Sequence, residues 1–125
     1  MPNDEDIVRS RLKTTGVSEF VFAEEDLVYR VVDVGGQRSE RKKWIHYFED
    51  VKLVLFLVAL SEYDQLLYED ASVNRMQEAL DLFNNICESE WLQHSEFQLV
   101  FNKTDIFREK LLHRPLQDYF PDYQG

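Results

Sequence analysis

The segment Asp33-Val34-Gly35-Gly36-Gln37 combines residue types that can handle phosphate and water. A carboxylate at a strand end can hold a metal ion, directly or through its water shell. Glycine lets the backbone come close to a ligand, and an N–H at a helix N-terminus points toward an anion. The Gln37 side chain is both donor and acceptor, so it can orient a water molecule. The alternative interpretation is a tight strand-to-helix turn that needs glycine only for its geometry.

The segment Asn102-Lys103-Thr104-Asp105 offers the chemistry of base recognition. An ionised Asp105 accepts two donors side by side, and guanine presents such an edge whereas adenine does not. A site that pairs buried polar groups rejects the wrong base, because a mismatch leaves those groups unpaired. The Lys103 stem can lie along the purine face. The alternative interpretation is an Asn/Asp-rich turn.

A third segment, Arg9-Ser-Arg11-Leu-Lys13-Thr14-Thr15-Gly16, alternates basic residues with hydroxyls. Arginine suits planar, bidentate contact with phosphate, and a threonine hydroxyl can bind Mg²⁺. By itself, this segment reads as a solvated linker rather than as a phosphate site.

Two strands and a helix must position the first motif. Residues 17–23 alternate in polarity, and residues 27–34 form a second apolar stretch after a short polar break. This pattern predicts an antiparallel pair. Residues 37–48 contain an apolar stripe of Trp44, Ile45 and Phe48 among basic residues, which predicts a helix. By themselves, residues 38–43 read as a solvated helix face, but an exposed Trp44 among cations is unusual there and points to a partner surface.

The second half of the chain alternates buried strands with helices. Val51–Leu60 reads as a strand covered on both faces, and residues 61–72 as a polar, acidic loop. A helical period from Val73 to about Ser89 places Cys87 in the core. Phe97–Phe101 reads as a short buried strand, and Ile106–His113 as a weak helix. The order predicts an α/β sheet whose ligands bind beyond the carboxyl ends of the strands.

Composition excludes several classes of protein. The 125 residues carry a net charge of −10, which argues against a general nucleic-acid binder. The single cysteine excludes an internal disulfide framework and fits a reducing compartment. The apolar run Leu53–Leu60 is too short to span a bilayer. The acidic start does not read as a signal peptide, and we expect no membrane anchor in these residues.

The blocks RSRLKTTG, DVGGQRSERKKW, VALSEYD, NRM and NKTD together resemble the alpha subunits of heterotrimeric G proteins, from about Asp6 to Tyr123. The resemblance implies a partial P-loop GTPase (Ras-like) domain. Its sheet would be mostly parallel, with one antiparallel edge strand and helices on both faces. Residues 1–16 would be a linker and first switch, and residues 17–125 the partial domain.

The resemblance also implies site residues. Arg11 would stabilise charge on the transferring phosphoryl group, and Gln37 would position the attacking water. Thr14 and Asp33 would hold Mg²⁺. GTP or GDP would contact two runs of the first half and one of the second: Val8, Arg9, Ser10, Arg11, Leu12, Lys13 and Thr14; Asp33, Val34, Gly35, Gly36 and Gln37; Asn102, Lys103, Thr104 and Asp105.

The partners implied by the resemblance are a beta-gamma dimer, effectors, a G-protein coupled receptor and GTPase-activating regulators, at the cytoplasmic face of the plasma membrane. Residues Gly35–Trp44 would form a second switch and Asp64–Val73 a third. The beta-gamma dimer and effectors would share one surface, formed by Arg38, Lys42, Lys43, Trp44 and Ile45.

No stretch of the 125 residues matches Gly-x-x-x-x-Gly-Lys-[Ser/Thr], the loop that cradles the α- and β-phosphates. We therefore expect that these residues alone neither bind GTP tightly nor hydrolyse it. Three hypotheses remain: part of a GTP-driven signalling subunit, a catalytically incompetent partner-binding module, or a generic α/β domain with chance motifs. The length of the DVGGQRSERKKW block favours the first.

Overall fold

A computed structural model of the chain describes residues 16–124. The chain divides into two compact units, residues 1–49 and residues 50–125. The first contains a β-hairpin and a short helix. The second alternates strands with helices.

The hairpin of the first unit confirms the predicted antiparallel pair. Strand β1 (Val17–Glu24) pairs with β2 (Leu27–Val34), with Val17 opposite Val34 and Glu24 opposite Leu27. Glu25 takes a positive φ of 53° at the tip, which closes the short turn. The stacked rings of Phe22 and Tyr29, 5.1 Å between centroids, add a cross-strand contact. The register is thus fixed from the tip down to the motif that follows β2.

The segment after β2 differs from the α-helix predicted over residues 37–48. A turn spans residues 37–40, and a 3₁₀ helix then runs over Arg41–Tyr47. Its bonds span three residues, as from the Lys43 N–H to the Glu40 carbonyl at 3.0 Å. No side chain of the described residues caps the start of this 3₁₀ helix. The prediction that Gly36 opens the helix is therefore wrong.

The second unit has the predicted α/β alternation. Strands β3 (Leu53–Ala59) and β4 (Glu96–Asn102) are parallel neighbours, joined through helix α1 (Arg75–Cys87). Phe83 of α1 contacts the rings of Phe56 and Phe97, which places the helix over one sheet face. Helix α2 (Thr104–Leu111) follows β4.

Two predictions about burial are wrong for the described residues. Leu53, Leu55 and Leu57 point away from the face that Phe83 covers, and all three are exposed, so β3 is covered on one face rather than two. Cys87 is exposed, and its neighbour Ile86 is buried instead. Neighbouring residues of a helix point in directions about 100° apart. In the last turn, the apolar stripe therefore assigned Cys87 to the core instead of Ile86.

Two side chains of the second unit are almost fully buried, Tyr63 at 0% exposed and Leu92 at 1%. Tyr63 follows the 3₁₀ helix Leu60–Glu62, and Leu92 ends the 3₁₀ helix Glu90–Leu92. A third 3₁₀ helix, Leu116–Asp118, follows α2. Within residues 16–124, every helix is too short or too polar to cross a membrane.

Candidate functional site

The turn at Gly35 and Gly36 is held by three hydrogen bonds. The Gly35 N–H donates to the Gly16 carbonyl at 3.2 Å, and the Trp44 indole N–H donates to the Gly35 carbonyl at 2.9 Å. The Arg41 Nε–H donates to the Gly36 carbonyl at 3.2 Å. The strand pairing ends just before this turn, so these bonds fix the backbone where the ladder stops.

Glu40 joins this turn to the end of the third motif. Its Oε2 atom accepts the Gly16 N–H at 3.1 Å and the Lys43 ammonium at 2.8 Å. The hydrogen bond from Lys43, with that from the Gly16 N–H second, lowers the pKa of the Glu40 carboxyl. Gly16 has a φ of 78°, a backbone conformation that favours glycine. The structure therefore brings Gly16, Gly35 and Glu40 together.

Asp33, Gly36 and Gln37 lie along the same stretch. Asp33 and Gly36 are exposed, and Gln37 is half-buried. A Cβ added to Gly36 would meet no atom of the described residues within 4 Å, so packing in this part of the chain does not require a glycine there. Asp33 presents one exposed carboxylate, and within residues 16–124 no group of three acidic, His or Cys side chains is arranged to hold a metal ion. One carboxylate fits Mg²⁺ bound with a nucleotide, because phosphates and waters complete its shell.

The predicted partner residues differ in exposure. Arg38 and Lys42 are exposed, Lys43 pairs with Glu40, and Ile45 is 48% exposed. Trp44 is half-buried, which corrects the expectation of an exposed indole. Its N–H bond to Gly35 ties it to the turn, so Ile45 is the apolar side chain of this surface that faces solvent.

The second group of predicted residues forms one turn at the carboxyl end of β4. The Asn102 Oδ1 atom accepts the Lys103 N–H at 2.8 Å, and Lys103 takes a left-handed conformation with φ 55° and ψ 38°. Thr104 and Asp105 begin α2, and all four residues are exposed. Because β3 and β4 are parallel, this turn lies at the sheet edge where the segment after β3 also begins.

Asp64 is the centre of an ion-pair cluster that the sequence did not reveal. Its side chain is fully buried and accepts Lys110 Nζ and Arg114 Nη1, each at 2.7 Å. Burial raises the pKa of the Asp64 carboxyl, but the hydrogen bonds from Lys110 and Arg114 outweigh it, so the pKa is lowered overall. The sequence around it, Ser61-Glu62-Tyr63-Asp64-Gln65, is mostly polar and gives no signal that the Asp64 carboxylate is buried.

The residues predicted from the third motif, Val8–Thr14 with Arg11 among them, lie outside the described residues. The two groups that the structure does describe, around Gly36 and around Asn102, belong to different compact units.

A comparison with protein families removes one of the three hypotheses drawn from the sequence. The family model described as G-protein alpha subunit matches residues 1–125. The chain belongs to the G-protein alpha subunit family. This finding confirms the resemblance and excludes a generic α/β domain with chance motifs.

Curated relatives agree with this assignment. The chain is 62% identical, over 125 residues, to the guanine nucleotide-binding protein subunit alpha of Pyricularia oryzae and to the guanine nucleotide-binding protein alpha-1 subunit of Neurospora crassa. It is 61% identical to the G-protein complex alpha subunit gpaA of Aspergillus fumigatus. Each match covers 100% of this chain and 35% of the relative, so the chain spans about a third of the length of these G-protein alpha subunits.

Proposed function

We propose that this chain works as part of a G-protein alpha subunit that binds and hydrolyses GTP and couples receptors to effectors. The observation that supports the proposal most is the turn at Gly36. Three hydrogen bonds hold its backbone, while the Gly36 Cα faces space that no described residue occupies. A fixed backbone beside open space is what close approach of a phosphate requires.

In this proposal the residues at the turn act on the γ-phosphate. The Gly36 N–H donates to a γ-phosphate oxygen, and Gln37 orients the attacking water through its donor and acceptor. Arg11 stabilises the charge that develops on the phosphoryl group. Asp33 and Thr14 hold Mg²⁺, which neutralises phosphate charge when bound. The remaining residues of Val8–Thr14 line the nucleotide.

The turn after β4 reads the base in this proposal. The Asp105 carboxylate accepts the guanine N1–H and exocyclic amine, while the Lys103 stem lies along the ring. Asn102 bonds the Lys103 N–H at 2.8 Å, which fixes the turn before a nucleotide arrives. Thr104 completes the nucleotide contacts. Asp105 and Lys103 are both exposed, so each can reach a ligand.

The finer architecture belongs to the same proposal. Residues 1–16 act as linker and first switch, and residues 17–125 form a partial Ras-like domain with a mostly parallel sheet. The working location is the cytoplasmic face of the plasma membrane, with the beta-gamma dimer, effectors, a receptor and GTPase-activating regulators as partners. The surface around Ile45 serves the first two.

Nucleotide titration tests the proposal in two steps. The 125-residue chain is titrated with fluorescent GTP and Mg²⁺, and we expect no sub-micromolar binding because the sequence has no phosphate-cradling loop. The same residues then replace the matching segment of the complete Neurospora crassa relative. We expect Gln37→Leu to slow hydrolysis in that chimera by about 10²-fold or more with little change in GTP affinity.

Gln93→Leu, at an exposed glutamine of the other unit and outside the proposed switches, is the matched control and should leave hydrolysis unchanged. Tight binding by the 125 residues would disprove the expected inactivity. Normal hydrolysis by the Gln37→Leu chimera would remove Gln37 from the mechanism.

The second candidate function is a partner-binding module without catalysis, and the exposed Ile45 among basic residues favours it. Capture of the 125-residue chain on immobilised beta-gamma dimer, with no nucleotide present, tests this candidate. Ile45→Asp should abolish capture, whereas Leu112→Asp, the same change at an exposed position of the other unit, should not. No capture of the unmodified chain would reject the module.

A further inference from the structure

Tyr63 and Asp64 lie between two parts of the second unit that are distant in sequence. One part is the acidic loop Gln65–Val73, which leads into α1. The other is α2, which follows the turn Asn102–Asp105. Contacts from this residue pair reach both parts, and side chains and backbone groups contribute to them.

Toward α2, the contacts are ionic and aromatic. Asp64 accepts Lys110 and Arg114 at 2.7 Å each, and the Lys110 ammonium also donates to the Ser61 carbonyl at 2.8 Å. The Tyr63 hydroxyl donates to the Arg114 carbonyl, and its ring packs edge-on against Phe107 at 5.3 Å. These contacts hold the end of α2 against the chain that leaves β3.

Toward the loop, the contacts pass through Asn74. Its Nδ2 atom donates to the Tyr63 carbonyl at 2.6 Å, and its Oδ1 atom caps α1 by accepting the Met76 and Gln77 N–H groups. The loop closes on itself beside this point, through the Leu67 N–H to the Val73 carbonyl at 2.8 Å. Tyr63 therefore contacts the base of the loop with its backbone and the end of α2 with its side chain.

We propose that Tyr63 and Asp64 link the acidic loop to α2. Through this link, the order of the loop depends on the position of α2, and the position of α2 depends on the order of the loop. The link centres on the fully buried Asp64 carboxylate, whose charge-assisted hydrogen bonds from Lys110 and Arg114 are strong and geometrically specific. Since α2 starts at Thr104, a shift of the helix end moves the Asn102–Asp105 turn with it. The consequence for nucleotide sensing rests on the proposed function, because only there does this turn read guanine.

Amide hydrogen exchange in the 125-residue chain without nucleotide tests the link. Lys110→Met removes one cation from Asp64 while keeping the length of the side chain. We expect the amides of the loop, Leu67 and Val73 above all, to exchange about tenfold faster in this variant, although they lie outside α2. Lys110→Arg should keep the wild-type rates, since a guanidinium can still bond the Asp64 carboxylate.

Arg108→Met is the matched control, because it removes the same charge from an exposed position of the same helix. The amide of Phe56 in β3 reports opening of the whole unit. Wild-type exchange in the loop of Lys110→Met would overturn the proposal. So would equal acceleration at Phe56, which would mean that Lys110 only stabilises the unit as a whole. With no nucleotide present, failure of this test and failure of GTP binding are separate results.

Discussion

The two segments that the family resemblance identifies as second and third switches are held in different ways. In Gly35–Trp44, the Gly35 N–H donates to the Gly16 carbonyl, while Trp44 and Arg41 donate to the Gly35 and Gly36 carbonyls. Asp64–Val73 begins at a buried carboxylate with two cations and beside a fully buried tyrosine. Segments with few buried contacts open at lower free energy than segments anchored in a core. We call Tyr63 and Asp64 the anchor of the second segment. The difference indicates that the first segment can change shape locally, whereas the second moves only together with this anchor.

Removing the anchor should have the largest effect. Tyr63→Ala deletes a ring that is 0% exposed and contacts Phe107 and Tyr119. We expect the free energy of unfolding to fall by about 3–5 kcal/mol, because the cavity left behind collapses only in part. Chemical denaturation followed by circular dichroism measures the change. Tyr123→Ala, at an exposed tyrosine of the same unit, should lower the free energy of unfolding by less than about 0.5 kcal/mol, and equal losses would show that Tyr63 is no anchor.

The charge of the anchor should matter next. Asp64→Asn leaves Lys110 and Arg114 without their carboxylate, and we expect a loss of about 2–3 kcal/mol at neutral pH. The lowered pKa of Asp64 gives this loss a defined pH dependence. The contribution is complete above the ordinary value of 3.8 and disappears as the pH falls through the lower value of the folded state. Unfolding curves of both proteins from pH 7 to pH 2 should therefore converge in acid, and a constant difference would exclude ionisation of Asp64 as the cause.

The turn at Gly35 and Gly36 should respond least, and Gly36 should respond differently from Gly16, to which the turn is hydrogen-bonded. Gly16→Ala forces a side chain into a φ of 78°, for which we expect a loss of about 1–2 kcal/mol. Gly36→Ala meets no neighbour among the described residues and has no such φ, so stability should change by less than about 0.5 kcal/mol. Thermal unfolding of both variants checks this order. If Gly36→Ala proved the more destabilising, its glycine would serve the fold rather than a ligand.

Local patterns predicted the hairpin and the α/β alternation well. The alternation of residues 17–23 and the short polar break set β1, β2 and their pairing, because strand faces and hairpin turns are properties of neighbouring residues. The NKTD turn at the end of β4 was likewise correctly located. What failed was burial. Cys87 and Leu55 are apolar residues at positions that the sequence pattern assigns to the core. Both are exposed, because burial depends on how distant elements are arranged.

The candidate sites show the same limit. Gly35, Gly36 and Gln37 could be singled out because their chemistry lies in adjacent residues. The bond from Gly16 to Glu40 joins residues far apart in sequence, and the pairing of Asp64 with Lys110 joins residues farther apart still. No periodicity specifies which acid meets which base, because the choice depends on how β3, β4 and α2 come together. The ion pairs of Asp64 with Lys110 and Arg114 are therefore a property of the folded chain, not of any local sequence pattern.

The left-handed backbone of Lys103 has a consequence for protein engineering. A φ of 55° is strained for lysine and relaxed for glycine, so Lys103→Gly would raise stability by about 1 kcal/mol. A selection for thermal tolerance alone would favour that change. It would also discard the one long side chain of the turn that the proposed mechanism lays along a purine. At this residue, thermal stability favours glycine, whereas the proposed ligand recognition requires lysine.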